Sequence, residues 1–554
     1  MSNNSRLEQL YLYNSSLNTL DISANKSLTD LSISSENFEH IDTSHNKLLK
    51  NLYLRSEQLS KLEIANNTQL EKLIVHADEL LELDLSYNQN IKKLSLRSDY
   101  ISDLELSKLT MLESLELNEM PLKALDVSNH TSLYNLSLTF IPLEDLNLSD
   151  LSELQFLSIS GSEIKEIDVS HNTKLRELNL YDNSLEILDV SNNLELTWLH
   201  IANNHLTNLE LTSNTKLTYL SAYDNALTSI DLSSNVQLES LYLFDNELKS
   251  LDISNNSSLK SMSVARNQLS SLNISDKIKL QDLDLHSNQL ETLTIKNAPS
   301  LVDLAIYYNE LTDLDLSEIV ELQTLDASSN QLTELDLSTN SAISTINLNN
   351  NQLTSLDLSN NHSISELRVT DNQLTKLELS STPSLVTLEA SNNLLTNLEL
   401  TAHQTIQSID VYSNQLTTFE LPTDSALQSL VISNNTLNKL DASEQTKLTY
   451  LEANNNSLSE LNLTNSSTLE YLAVNDNKLT ELDISNNSAM TYLAMSNNQI
   501  TSLDLTNNTQ LNYLYLHYNS LSVIDISTIE NLQGLTIDND AQCIGDMCWI
   551  AYRY

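Results

Sequence analysis

A repeat of 21 residues constrains this chain more than any other feature. Stepping by that interval from Leu20-Asp21-Ile22-Ser23, the frame meets Leu83-Asp84-Leu85-Ser86, Leu188-Asp189-Val190-Ser191, Leu251-Asp252-Ile253-Ser254, Leu356-Asp357-Leu358-Ser359 and Leu503-Asp504-Leu505-Thr506. It closes at Ile524-Asp525-Ile526-Ser527, after 25 instances without insertion or deletion. A second unit lies between them, Ile364-x-x-Leu367-x-Val369-x-x-Asn372-x-Leu374 in one coil. It runs from Leu7-x-x-Leu10-x-Leu12 to Leu532-x-x-Leu535-x-Ile537. Both units put apolar residues at every second position, the mark of a strand with one face inward. One coil cannot bury its own leucines, but stacked coils share a core.

The second unit is the leucine-rich repeat pattern. It predicts a β-rich solenoid of about 26 coils. The strand of Leu367 and Val369 should line a parallel sheet on the concave face, and that of Leu377 and Leu379 a second, short-strand sheet opposite. At about 150 residues per domain, 554 residues would otherwise suggest three or four domains. Three glycines argue against that, because ordinary domains use about 7% and place many at turns.

An asparagine column takes the place of those glycines: Asn183, Asn204, Asn225, Asn246, Asn267, Asn288, Asn309, Asn330, Asn351, Asn372, Asn393, Asn414, Asn435, Asn456, Asn477, Asn498 and Asn519, which is 17 in succession. An amide there can donate to and accept from neighbouring coils. Asparagine also tolerates left-handed backbone angles, so these residues are expected to make the turns that glycine makes elsewhere. Before Asn183 the column reads Ser15, Glu36, Glu57, Asp78, Asp99, Met120, Ile141 and Ser162. The leucine frame crosses this change unbroken. Residues 1–165 are therefore read as divergent repeats, 166–540 as regular repeats and 541–554 as a C-terminal cap.

Against 75 Asp plus Glu stand 28 Lys plus Arg, a formal net charge of −47. That excludes general electrostatic attraction to nucleic acid or anionic lipid. No apolar run reaches the roughly 18 residues that would span a membrane. Residues 1–30 hold no basic region followed by an apolar one, so no signal peptide is expected.

The coils resemble those of the bacterial internalins, above all the short-repeat members. The likeness rests on Leu188-Asp189-Val190-Ser191-Asn192-Asn193, then Leu196-Thr197-Trp198-Leu199 and Asn204, and it covers residues 7–540. It implies a cell-surface or secreted protein that binds proteins or glycans on the concave face. Two departures stand out. The repeat begins at Leu7, without the family's helical N-terminal cap, and no wall-sorting signal follows Tyr554.

Outward positions of the first strand gather aromatics. Tyr450, Tyr471, Tyr492 and Tyr513 share one column, with Tyr515, His517 and Tyr518 beside its end. An earlier cluster holds Tyr181, Trp198, His200, Tyr219, Tyr223, Tyr242 and Phe244. Such side chains offer stiff contact area with a polar edge. They also pack on one another across strands, which would be a purely structural role. Arg55, Lys72, His76, Lys93 and Arg97 share this face and could hold an anionic group. Arg55, His76 and Arg97 each precede Glu57, Asp78 and Asp99 by two residues, so mutual neutralisation is the favoured account.

On the opposite strand, the residue after the first leucine is Asp or Glu in 21 of 25 coils, followed two residues later by Ser or Thr in 22. Carboxylates stacked about 4.8 Å apart repel. Hydrogen bonds from serine and turn N–H groups are the expected remedy, with Ca²⁺ bridging as the alternative. No cofactor is otherwise called for, and no metal ligand set is present. His200, His286 and His517 share no column with a Ser–Asp pair, so the chain reads as a non-enzyme. Cys543 and Cys548 should close a local disulfide in the cap, with Trp549 and Tyr552 covering the last leucines. The leading function is recognition of a protein or glycan by a surface or secreted adhesin. The alternatives are a spacer without a single ligand, or an effector that binds host proteins.

Overall fold

Alternation of leucine with polar residues becomes one parallel strand per coil. The computed structural model describes residues 4–13, 16–143, 145–423 and 425–553, so Ser15 of the expected column lies outside the described residues. The chain forms two units, Met1–Leu269 and Ser270–Tyr554. Each is a β-solenoid with its own parallel ladder, and the one described helix is the short 3-10 turn Asp546–Ile550. Register steps by the repeat length. Leu31 pairs with Leu52 and Leu52 with Leu73 in the first unit, while Leu451 pairs with Leu472 and Leu472 with Leu493 in the second. Each inward leucine therefore sits on its equivalent in the next coil, and the columns are buried throughout. Burying such a side chain stabilises by about 1.5–3 kcal/mol.

Strand length changes along the first unit. Strands run five or six residues from Asp30–Ser34 through Asn51–Ser56 and Lys72–Ala77 to Phe156–Ser160. From Glu177–Asn179 onward to Tyr513–Tyr515 they run three. The change coincides with Asn183, whose amide takes over at the point where the strand stops. Asn183 Nδ2 donates to the carbonyl of Ile159 in the preceding coil at 2.8 Å and to Leu180 at 3.1 Å. In the earlier coils serine hydroxyls serve the turn instead: Ser56 Oγ donates to the Phe38 carbonyl at 2.7 Å and Ser98 Oγ to that of Leu80 at 2.6 Å.

The same bonding recurs down the column. Asn372 Nδ2 donates to Leu348 at 2.9 Å and Val369 at 3.1 Å, and its Oδ1 accepts from the Leu353 N–H at 3.0 Å. The left-handed residue, however, is not this asparagine. Positive φ falls on the residue before it: Asp182, Asn203, Asp224 and Asp245, then Asn350, Asp371 and Asn392, among others. Asp and Asn dominate there because a short polar side chain can bond locally and lower the cost of that conformation. The ladder asparagine keeps an ordinary backbone and spends its side chain on the neighbouring coil.

A second asparagine ladder, absent from the sequence reading, lies after the L-D-L-S segment. Asn46 Nδ2 donates to the carbonyls of Ile22 at 3.1 Å and Asn25 at 2.8 Å, and Asn67 repeats this on Thr43 and Asn46. Asn193, Asn214, Asn235 and Asn256 continue it, all fully enclosed. In the coils that carry both, such as those of Asn193 to Asn256, two buried amide rows close the two turns.

The opposite sheet exists only in pieces. Among the described residues it consists of short ladders, such as Ser271–Asn273 with Thr292–Thr294 and Lys439–Asp441 with Glu460–Asn462, plus isolated bridges. The segment of Leu377 and Leu379 is not strand. Coils on this side close much of their hydrogen bonding internally, through the Asp and Ser described below.

At the C-terminus Cys543 and Cys548 form a disulfide with Cα atoms 5.8 Å apart. Ala551–Arg553 adds a strand to Gly534–Ile537, with Ala551 against Leu535 and Tyr552 against Thr536. That register turns Tyr552 outward, so it does not cover the last leucines. Tyr552 is 74% exposed and Trp549 79%. The added strand itself is the cover, and Arg553 Nη1 donates to the carbonyls of Asn539 and Ala541, each at 3.0 Å.

Replacing Asn372 by Ala should cost about 2–3 kcal/mol, because buried carbonyls and an N–H lose their partner. Asp371→Gly, at the left-handed position, should be close to neutral. Equilibrium urea unfolding of the two variants checks the contrast.

Candidate recognition surface

The aromatic columns form contiguous stacks. Parallel pairing places Tyr450, Tyr471, Tyr492 and Tyr513 directly alongside one another on four adjacent strands. Tyr450 and Tyr471 have ring centroids 4.4 Å apart, and Tyr471 and Tyr492 4.3 Å, all nearly parallel. Tyr513 breaks the stack, tilted by 46° at 6.1 Å from Tyr492. The cause lies in the next coil. A Cβ at Gly534 would fall 2.9 Å from Tyr513 Cδ1 and 3.1 Å from the Tyr515 hydroxyl, so glycine there makes room for both rings. Tyr513 then donates to Gln533 Oε1 at 2.8 Å.

Stacking decides what this surface can offer. The inner rings spend their faces on one another and leave their edges for a partner, while the Tyr450 hydroxyl donates to Glu452 Oε2 at 3.1 Å. Beside them, Tyr492, Tyr515, Tyr518 and His517 wall a cavity of about 410 Å³ floored by Ala494, with Asp476 and Asn497 at its rim. Ser496 Oγ lies 2.9 Å from His517 Nδ1, and Thr536 Oγ1 lies 2.8 Å from the same nitrogen. The pair belongs to a polar row in which the Asn475 N–H reaches Asn454 Oδ1 and the Ser496 N–H reaches Asn475 Oδ1, both at 2.8 Å.

The cluster in the first unit is more broken. Trp198 stacks on Tyr219 at 5.1 Å and Tyr223 on Phe244 at 4.2 Å. His200 lies between them, 5.2 Å from Tyr181, 5.5 Å from Trp198 and 6.1 Å from Tyr223, and this burial lowers its basicity. Tyr242 is tilted against Tyr219 at 5.7 Å, and Arg266 lies over Phe244 at 5.7 Å while bonded to Asp245. Tyr307 stacks instead on His286 at 4.4 Å.

Most of the acidic column on the opposite side is satisfied within its own coil. The Ser191 N–H donates to Asp189 Oδ1 at 2.8 Å, and Ser128 donates to Asp126 through both N–H, at 3.0 Å, and hydroxyl, at 2.7 Å. Asn147 and Asn273 accept in the same way where the acid is missing. These bonds hold the carboxyls of Asp126, Asp189 and Asp231 below the usual range. For Asp189 and Asp231 repulsion from the adjacent carboxylate is the weakest influence.

A different set of acids, which sequence reading passed over, lies on the first-strand face of the second unit. Asp282, Asp284, Asp303, Asp326, Glu366, Glu389, Asp410 and Glu452 occupy its outward positions, against the single cation Arg368. Arg368 is shared by Glu366 and Glu389. Burial, then the Asp303 carboxylate beside it, pushes the Asp282 carboxyl upward. Period-two alternation could have located this row, but no pattern in the repeat marked it.

In the first unit the expected neutralisation holds for Arg97, whose Nε lies 3.4 Å from Asp78 and whose Nη2 lies 2.7 Å from Glu119. Asp99 forms no ion pair among the described residues. Lys93 pairs with Glu116 at 2.9 Å. Arg55 has no such partner among the described residues.

No family model matches this chain, and no curated protein matches it. Solved structures do. YopM from Yersinia enterocolitica matches at 26% identity with TM-score 0.54, over 84% of this chain and 91% of its own. The Arabidopsis receptor kinase HAESA, solved with the peptide hormone IDA and the co-receptor SERK1, matches at 22% identity with TM-score 0.63, over 82% and 87%. InlJ from Listeria monocytogenes matches at 24% identity with TM-score 0.46, over 74% of each chain.

Two titrations probe the columns. The Asp carboxyls are depressed in the fold, so their stabilisation is present above the unfolded value and is lost as pH falls through the folded one. Melting temperature should therefore fall below about pH 4, and Asn at Asp126, Asp189 and Asp231 should flatten that fall. Burial and the Tyr471 phenol raise Tyr492 to about 12. That stabilisation is complete below the usual tyrosine value and disappears as pH rises through the raised one. An ultraviolet titration should show a last phenol step near that value, missing in Tyr492→Phe. The chain is a leucine-rich repeat protein whose 21-residue coils resemble those of the bacterial short-repeat internalins.

Proposed function

We propose that this chain is a non-enzymatic recognition scaffold that holds a protein partner on the first-strand face of its second unit. The carrying observation is the tyrosine stack from Tyr450 to Tyr513, continued by Tyr515, Tyr518 and the cavity they wall. Rigid rings with exposed edges supply contact area at low entropic cost, as at protein interfaces. A sugar ring, by contrast, docks on an open aromatic face, and the inner faces here are taken. Stacking therefore favours a protein over a glycan.

Charge adds the chemistry of the partner. Most acids of the opposite column are bonded within their own coils. Those of the strand face outnumber their arginine, Arg368, which is already shared by Glu366 and Glu389. A complementary partner presents Lys and Arg to this row and apolar or hydrogen-bonding groups to the tyrosines. HAESA, of the same fold, was solved in complex with a peptide hormone and a co-receptor, which agrees with a protein partner. The aromatic cluster around Trp198 is a second contact patch in the first unit. A surface or secreted location is supported by the Cys543–Cys548 disulfide, which persists in oxidising compartments. No helix among the described residues is long and apolar enough to cross a membrane.

A pulldown of host or neighbouring-cell surface proteins tests the reading. Tyr471→Ser with Tyr492→Ser should abolish capture, and Trp198→Ser should weaken it less. Association should slow several-fold between about 50 and 300 mM salt, because charge steers encounter. Capture unchanged by the tyrosine pair would remove this surface from contention.

A further inference from the structure

The unpaired Arg55 lies in a cavity of its own. Ser34, Arg55, His76 and Arg97 are adjacent across four parallel strands, each in register with the next. Around the turn from them runs a row of carboxylates, Glu36, Glu57 and Asp78. Between the two rows is a cavity of about 570 Å³, lined also by Ser16, Ser35, Asn37 and Ser56. This is large enough for a compact metabolite.

Charge accounting separates the lining groups. Arg97 and Asp78 hold one another, and Arg97 also reaches Glu119. His76 Nε2 lies 3.2 Å from Ser95 Oγ, and burial with the Arg55 and Arg97 guanidiniums lowers the basicity of its ring. Ser35 and Ser56 hydroxyls are spent on backbone carbonyls. That leaves Arg55, Glu36 and Glu57, whose side chains have no partner among the described residues, together with the Ser34 hydroxyl and the Asn37 amide. A plain anion would gain Arg55 but face two carboxylates. A plain cation would gain the carboxylates but face Arg55. Only a ligand carrying both charges satisfies the set.

We propose that this cavity binds a small zwitterion of the α-amino acid or dipeptide class, its carboxylate on the Arg55 guanidinium and its ammonium between Glu36 and Glu57. The planar guanidinium fork suits a carboxylate. The Ser34 hydroxyl, next to Arg55 in register, reaches the same carboxylate. Asn37 serves the peptide or side-chain polar groups. The site belongs to the first unit and is independent of the protein-docking surface of the second.

Isothermal titration calorimetry on the full chain tests this with three probes: glycylglycine, inorganic phosphate and methylammonium. Glycylglycine should bind saturably, and the two singly functional ions about tenfold more weakly or worse. Arg55→Met and Glu57→Gln should each weaken glycylglycine by about tenfold or more. Arg55, Glu36 and Glu57 are exposed, so these variants should keep the parent melting temperature, which shows that any loss is local. Phosphate binding as tightly as glycylglycine, and strengthened by Glu57→Gln, would instead identify a simple anion site and overturn the proposal. So would the absence of saturable heat with glycylglycine up to roughly 10 mM, or binding that neither variant changes.

Discussion

The structure depends on one interaction, the hydrogen bond from a buried asparagine amide to the backbone of the preceding coil. A solenoid turn must take its carbonyls out of the strand ladder while they remain enclosed, and an enclosed unpaired carbonyl costs about 1–3 kcal/mol. An amide with two donors and an acceptor resolves several such groups at once. Asn372 does this for Leu348, Val369 and Leu353. Asn46 does it at the other turn for Ile22 and Asn25. Since the bonds to Leu348 and Leu353 span neighbouring coils, an insertion in one coil would misplace the amide, which favours a period kept without interruption.

Fixed register has a second consequence. A residue type repeated along the sequence becomes a physical row, and each row must deal with its own like neighbours. Tyrosines do so by stacking, so Tyr450, Tyr471 and Tyr492 show edges rather than faces. The Asp column does so through bonds from Ser N–H and hydroxyl groups two residues later, which outweigh the repulsion between coils. The strand-face acids are met unevenly: Asp326 accepts from Ser328 and Asn347, Glu452 from Ser433, Tyr450 and Asn454, and Arg368 is shared by Glu366 and Glu389, while the Asp282 and Asp303 carboxylates lie beside one another. The row that dominates the composition is thus largely self-contained, while the less regular row keeps an excess of carboxylates over its one arginine, Arg368.

Much of this was legible from residue spacing alone. The strands of Leu367 and Val369, the shared core and the outward tyrosine columns all follow from period two nested in period 21. The rest turned on geometry that spacing does not encode. Asn183 and its successors looked like left-handed turn residues, but the residues before them carry the positive φ, because the amide must point back into the preceding coil. The second ladder at Asn46 and Asn67 was hidden because His130, Lys277 and Thr382 interrupt its column. Trp549 and Tyr552 looked like a lid, but pairing with Gly534–Ile537 sends Tyr552 outward and leaves the strand backbone as the cover.

For Arg55 and Arg97, sequence spacing suggested the same fate, neutralisation by an acid two residues on. Tertiary placement separated them, giving Arg97 the carboxylates of Asp78 and Glu119 from the two flanking coils and leaving Arg55 facing a cavity. The sequence by itself determined the coil, its period, its core and the membership of every outward column, since those follow from which residue recurs every 21 positions. Only the tertiary structure decided which members of a column meet, face to face or edge to edge, and which charges find a partner. Those outcomes depend on side-chain directions across neighbouring coils, and distance along the chain does not specify them.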